Sequence, residues 1–209
     1  MLDLSSIRQS VLSTPAKGLP PIADGLPVAR IPALSLNLLR EELSFPLLVI
    51  RENALMTNIR SLARAAEDAG VSLAPHGKTT MSPQIFDLQL TAGAWGITLA
   101  TMHQAAIAAQ FGVPRIVLAN SVTADADISR LARLHPSTEI IVTSDSVGHA
   151  RRLATRLTAW GVQTPVPVLV EFGIPNQRSG CRTLDEVKAV LDEIGKHPQA
   201  LVPAGVLGY

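Results

Sequence analysis

Beyond Phe45 the chain alternates between short apolar runs and longer stretches of helical period. The runs are Leu47–Ile50, Val71–Ala74, Gly96–Ala100, Arg115–Asn120, Glu139–Thr143, Val166–Glu171 and Leu201–Gly208. Apolar runs of strand length, each followed by room for a helix, read as parallel strands with covering helices. The intervening stretches agree. Asn53 to Ala69 sets Leu55, Ile59, Leu62, Ala66 and Ala69 three and four residues apart, an apolar stripe that Gly70 ends. Asp127–Leu134 and Ser146–Trp160 repeat the pattern, and Thr183 with Glu186 three residues on predicts a capping box opening a helix over Leu184–Ile194. The fold class is therefore α/β, as a closed eight-stranded barrel or an open doubly wound sheet. No Gly-x-Gly-x-x-Gly turn follows an early strand, which weakens the dinucleotide-binding version of the open sheet.

One segment carries chemistry. Leu73-Ala74-Pro75-His76-Gly77-Lys78-Thr79-Thr80-Met81-Ser82-Pro83 sets a lysine just past an apolar run and just before a helix that Ser82 caps and Pro83 opens. An amine at the carboxyl end of a barrel strand is expected to be sheltered from bulk water, which disfavours its charged form and suits it to attack an aldehyde. His76, two residues earlier, falls on the same face as Lys78 if the strand continues to it, and is a candidate acid/base or hydrogen-bond partner there. A second segment, Val170-Glu171-Phe172-Gly173-Ile174-Pro175-Asn176-Gln177-Arg178-Ser179-Gly180-Cys181-Arg182, runs from a strand into a glycine-containing turn and points Arg178 toward the same end of the sheet. Asn120, Thr98 and Thr101, at the ends of neighbouring runs, read as turn-forming residues or hydrogen-bond partners of a ligand.

These motifs resemble the alanine-racemase-like, fold-type III pyridoxal-phosphate (PLP) enzymes, nearest to the D-threonine aldolase, D-serine dehydratase and amino acid deaminase branches. The resemblance rests on Ala74-Pro75-His76-Gly77-Lys78-Thr79-Thr80, on Gln89 to Thr98, on Val117-Leu118-Ala119-Asn120 and on Val170-Glu171-Phe172-Gly173. It implies a PLP-binding (β/α)8 barrel in which Lys78 forms the Schiff base with the cofactor, with His76, Arg178 and Tyr209 lining the pocket. In relatives an Asp-x-Gly-x-x-Arg-x-Gly element places the arginine. Here Glu171, Gly173, Arg178 and Gly180 match it, with Glu for Asp and two added residues before the arginine, a form closer to the deaminases.

Counting Val71–Ala74 as the first barrel strand gives six, so residues 36–209 are expected to be a partial barrel lacking its last two strands and a carboxy-terminal β-domain. The 209-residue chain is then a fragment or truncated product, expected to fold poorly and to be inactive alone, because the sheet edges are left unpaired. For the full-length parent the resemblance implies a homodimeric PLP-dependent lyase: a deaminase or dehydratase of a small, D-configured hydroxy amino acid. The alternatives are a D-threonine-aldolase-type carbon–carbon lyase and a non-catalytic PLP-binding homeostasis protein. A divalent zinc or manganese ion would sit in the missing domain; the five histidines show no ligand spacing with one another or with Cys181.

Charge and composition narrow the partners. Eighteen basic and 17 acidic residues are spread along the chain, so neither a nucleic-acid stripe nor an acidic tail is indicated and a small amino acid remains the expected partner. A single cysteine permits no intrachain disulfide, and no stretch reads as a leader or membrane span, so a reducing cytoplasmic setting is expected. Residues 1–35 hold Pro15, Pro20, Pro21, Pro27 and Pro32 with Gly18 and Gly25, and are expected to form an extended arm.

Overall fold

The computed structural model describes residues 1–12 and 16–208. The chain divides into two compact units, one of Asp3–Arg64 and one of Met1–Leu2 with Ala65–Tyr209. In the first, the proline-rich segment folds into helix α1 (Ser5–Gln9) and three 3-10 turns at Pro21–Ala23, Val28–Leu34 and Leu38–Arg40. Proline at the start of the turn Pro21–Ala23 costs nothing, because that N–H has no intrahelical partner in any case. The run Leu47–Ile50 forms no strand. Leu47 is half-buried and Leu48, Val49 and Ile50 are exposed, Leu48 almost completely, so no buried face fixes a pleat. Helix α2 (Glu52–Asp68) follows and ends at Gly70, whose φ of 65° is the left-handed conformation a helix stop requires.

The second unit is a five-stranded, all-parallel sheet in the order β1 (Ile97–Leu99), β2 (Arg115–Ser121), β3 (Glu139–Ser144), β4 (Val166–Phe172) and β5 (Leu201–Gly208). Parallel neighbours need a crossover, supplied by α4 (Met102–Gln110), α5 (Asp125–Leu134), α6 (Val147–Ala159) and α7 (Leu184–Gly195). Helix α3 (Pro83–Thr91) precedes β1. The expected capping box of α7 forms, with the Glu186 N–H donating to Thr183 Oγ1 and the Thr183 N–H to Glu186 Oε2.

Alternation along the strands divides the side chains between two faces. Ile97, Leu99, Ile116, Leu118, Ile140, Val142, Val166, Val168 and Val170 join helix residues such as Met102, Leu131, Leu153 and Ile194 in one apolar core. Each fully buried Leu or Ile there contributes about 1.5–3 kcal/mol. The intervening residues, among them Thr98, Val117, Ala119, Glu171 and Leu207, face the other side and line a cavity. Among the described residues β5 pairs only with β4, and Val202 and Val206 are exposed.

The expected first strand at Val71–Ala74 is absent, and the chain instead makes a single parallel bridge, His76 to Thr98. Pro75 has no N–H to extend the ladder and the chain turns directly after Gly77, so the segment stays beside β1 without becoming a strand.

Candidate active site

Lys78 is placed by the segment that precedes it. The Trp95 N–H donates to Leu73 O (2.8 Å), the Thr98 N–H to Pro75 O (2.8 Å) and the Gly77 N–H to Thr98 O (2.8 Å), while Thr98 Oγ1 donates to Ala74 O (2.7 Å). These bonds tie residues 73–77 along β1. The Met81 N–H then donates to Gly77 O (2.9 Å), closing the turn that holds Lys78, Thr79 and Thr80. Met81 itself has φ 41°, a strained left-handed conformation for a non-glycine residue. Ser82 Oγ accepts from the Ile85 N–H and Pro83 opens α3. Gln104 secures the lysine's backbone, its Oε1 accepting from the Ala100 N–H (3.0 Å) and its Nε2 donating to Lys78 O (3.5 Å). No spacing in the sequence marks Gln104 for that role. Contrary to the expectation of a sheltered amine, Lys78 is exposed.

His76, Lys78, Asn120, Glu171, Arg178 and Ser179 line one cavity of about 440 Å3 at the carboxyl end of the strands. The structure thus brings five sequence-predicted residues, His76, Lys78, Thr98, Asn120 and Arg178, to a single site; Tyr209 lies outside the described residues. Asn120 reaches the cavity through a bulge: Leu118 pairs with Val142 and Ser121 with Thr143, so Ala119 and Asn120 share one step of β3 and both line the cavity. Thr143, fully buried like its neighbours in β3, has no hydrogen-bond partner for Oγ1 among the described residues. Thr101 caps α4 instead, accepting from the Gln104 N–H.

Arg178 sits on a tightly held turn. Phe172 bridges to Cys181, the Cys181 N–H donates to Glu171 O (2.7 Å) and the Gly173 N–H to Cys181 O (2.9 Å). Any side chain at Gly173 would collide with Ser179 O and the Arg182 guanidinium, which requires glycine there. Arg182 spans the turn, with Nη1 donating to Ile174 O (2.6 Å) and Ser179 O (2.9 Å) and Nη2 to Gln177 O (2.9 Å). Ser179 Oγ donates to Glu171 Oε1 at 2.6 Å. Sequence reasoning placed Arg178 but missed Ser179 and the clamp made by Arg182; a hydroxyl directly after the arginine was the available signal.

The other titratable groups serve the scaffold. His135, the C-cap residue of α5, is buried, with Nδ1 accepting from the Ile140 N–H and Nε2 donating to Pro165 O; burial, the largest influence, lowers its pKa. His149 lies between Ser144 Oγ and Val122 O. Cys181 is buried, and desolvation first, then the nearby Asp145 and Glu186 carboxylates, raises its thiol pKa, the opposite of what a nucleophile needs. Among the described residues no three His, Cys, Asp or Glu side chains gather as a metal would require, and no helix is long and apolar enough to cross a membrane.

Comparison with known proteins gives these residues a context. No protein-family model matches the chain. It is 28% identical over 163 residues to D-threonine aldolase of Arthrobacter sp, covering 77% of this chain and 39% of that protein. It is 29% identical over 182 residues to 3-hydroxy-D-aspartate aldolase of Paracoccus denitrificans, covering 86% and 46%. Among solved structures, D-threonine aldolase from Filomicrobium marinum superposes with a TM-score of 0.74 at 25% identity, over 79% of this chain and 44% of that one. D-threo-3-hydroxyaspartate dehydratase from Delftia sp. gives 0.69 at 27%, over 79% and 43%. Alanine racemase from Bacillus anthracis, at 18% identity and a TM-score of 0.61 over 75% and 39%, shares the fold alone. The chain spans less than half the length of each. Its fold is accordingly that of part of the alanine-racemase-like barrels, and its homologues are D-threonine aldolase and the 3-hydroxy-D-aspartate aldolase and dehydratase.

Proposed function

We propose that this chain supplies the cofactor-holding part of a PLP-dependent lyase acting on a small β-hydroxy D-amino acid. The observation that carries the reading is the convergence of Lys78, His76 and Arg178, from segments a hundred residues apart in the chain, on one cavity. The residues present fit the cofactor. A volume of about 440 Å3 lies within the range of small-molecule sites. A primary amine, a permanently charged guanidinium, an imidazole, an amide and hydroxyls are the donor set that an aldehyde-bearing aromatic phosphate calls for.

Lys78 would hold the group covalently through Nζ, with its backbone fixed by Gln104 and the Gly77–Met81 turn. When bound, PLP supplies an electron sink that makes the bonds at the substrate α-carbon labile. Arg178 would set a fixed positive charge beside it, and His76 would move the proton at the substrate α-carbon or on the departing hydroxyl oxygen.

Loss of the β-hydroxyl followed by deamination is the outcome we assign. The likeness to D-threonine aldolase at both the sequence and structure level favours cleavage of the Cα–Cβ bond as the second reading. Products separate the two. With D-threonine, a dehydratase releases 2-oxobutanoate and ammonia, whereas an aldolase releases glycine and acetaldehyde. Turnover is to be measured with PLP present on this chain and on any longer protein that contains it. Preference for L-threonine, or neither product pair from a longer protein, would overturn the reading.

A further inference from the structure

The one acid on the cavity wall has no counter-ion among the described residues. Glu171 is 7% exposed, at the end of β4 on the inner face of the sheet. A carboxylate in that position costs desolvation, and an apolar residue of similar volume would be cheaper to bury. What it does instead is hold the turn. Its Oε1 accepts the Ser179 hydroxyl at 2.6 Å, a length typical of a charge-assisted bond, and its backbone O accepts the Cys181 N–H at 2.7 Å. The two bonds bracket Gly180, which packs against Gly173 with φ 97°.

The opposite limb of the turn, Ile174 to Arg178, is exposed, and Asn176 has φ 60°. Arg182 ties the limbs to each other through the carbonyls of Ile174, Gln177 and Ser179. That clamp fixes the shape of the turn. The Glu171–Ser179 bond, made by the residue directly after Arg178, ties the turn to the end of β4, and the Gly180 N–H adds a bond to Asp145 Oδ2 (3.1 Å).

We propose, resting on the reading that Lys78 and Arg178 hold PLP, that Glu171 and Ser179 form a positioning pair that presents Arg178 to the cofactor. Glu171 acts through Ser179, and the length of its side chain matters as well as its charge. Glu171→Asp withdraws the carboxylate by one methylene and Ser179→Ala removes the donor, whereas Glu171→Gln keeps an acceptor in place.

The test uses PLP itself with the chain, by absorbance titration and by borohydride trapping with peptide mapping. Loss of a hydrogen bond to a charged group predicts about tenfold weaker PLP binding for Glu171→Asp and for Ser179→Ala, with a smaller loss for Glu171→Gln. In an Arg178→Ala background Ser179→Ala is expected to add nothing, because the residue it positions is gone. An equal loss in both backgrounds overturns the proposal, as does unchanged affinity in both single variants while the adduct remains on Lys78. Hydrogen exchange on the cofactor-free chain supplies a readout independent of PLP. The amides of Gly173 and Cys181 should exchange faster in Ser179→Ala while those of β3 keep their protection; unchanged exchange at the turn overturns the positioning role. An adduct of the unsubstituted chain away from Lys78 overturns the reading of the site, and the proposal with it, and is told apart by its position on the peptide map.

Discussion

Gly77→Ala is the smallest change that should disturb the site and the core together. A Cβ on Gly77 would lie 2.5 Å from Phe86 Cε1, 2.8 Å from Phe86 Cζ and 2.8 Å from Ile97 Cγ2. Carbon atoms pack at about 3.5–4.0 Å, so each contact is short by roughly 1 Å. Phe86 and Ile97 are both fully buried and cannot swing into solvent. Overpacking of this kind costs about 1–3 kcal/mol, or roughly 2–12 °C in Tm for a chain of this size. The cheaper relief is for Gly77 to back away from α3, which carries His76 and Lys78 with it. Thermal melting by circular dichroism reads the cost, and the yield of borohydride-trapped PLP adduct reads the displacement. Measured in a Phe86→Leu background, which removes the ring, the same substitution should cost less than half as much. A Gly77→Ala protein that melts within about 1 °C of the parent and traps PLP equally well would refute the packing argument.

Arg182→Ala should raise exchange at the Gly173 and Cys181 amides by about tenfold or more, since three carbonyl bonds to a charged donor are lost together. Arg182→Lys should not restore them, because an ammonium cannot span the three carbonyls; full recovery with lysine would contradict the clamp. Glu193 on α7 accepts from Arg151 of α6 and from Lys196, and these partners hold its carboxyl well below its ordinary value of 4.5, down to about 2. A depressed carboxylate pKa stabilises the folded state above the unfolded value, and that contribution is lost as pH falls. Tm should therefore drop more steeply between about pH 4.5 and 2 in the parent than in Glu193→Gln. Parallel curves for the two proteins would show that the cluster contributes nothing.

Much of the fold was legible because period and burial coincide. The strands from Arg115, Glu139, Val166 and Leu201 begin where their apolar runs begin, and the apolar stripe read over Asn53–Ala69 became α2 with ends shifted by one residue. Leu47–Ile50 misled, since an apolar run signals a strand only where a second surface covers it. Val71–Ala74 misled for a local reason: hydrophobicity does not register that Pro75 lacks a donor. In the site, Lys78 and Arg178 were readable because charged residues at strand ends stand out against an apolar pattern. Gln104, Ser179 and Arg182 were not, because their partners are backbone carbonyls, amides and a buried carboxylate whose meeting depends on how distant segments fold together. Asn120 was readable from its place at the end of an apolar run, but the bulge that brings it to the cavity was not.

The central claim is that Lys78 is the residue that holds PLP. The direct test is to incubate the protein with PLP, reduce with borohydride, digest it and locate the pyridoxyl group by mass spectrometry, with Lys78→Ala as control. The account predicts one modified peptide, carrying the adduct on Lys78 and absent from the control. Modification of Lys17, Lys188 or Lys196 to the same extent, or an unchanged yield in Lys78→Ala, would contradict it.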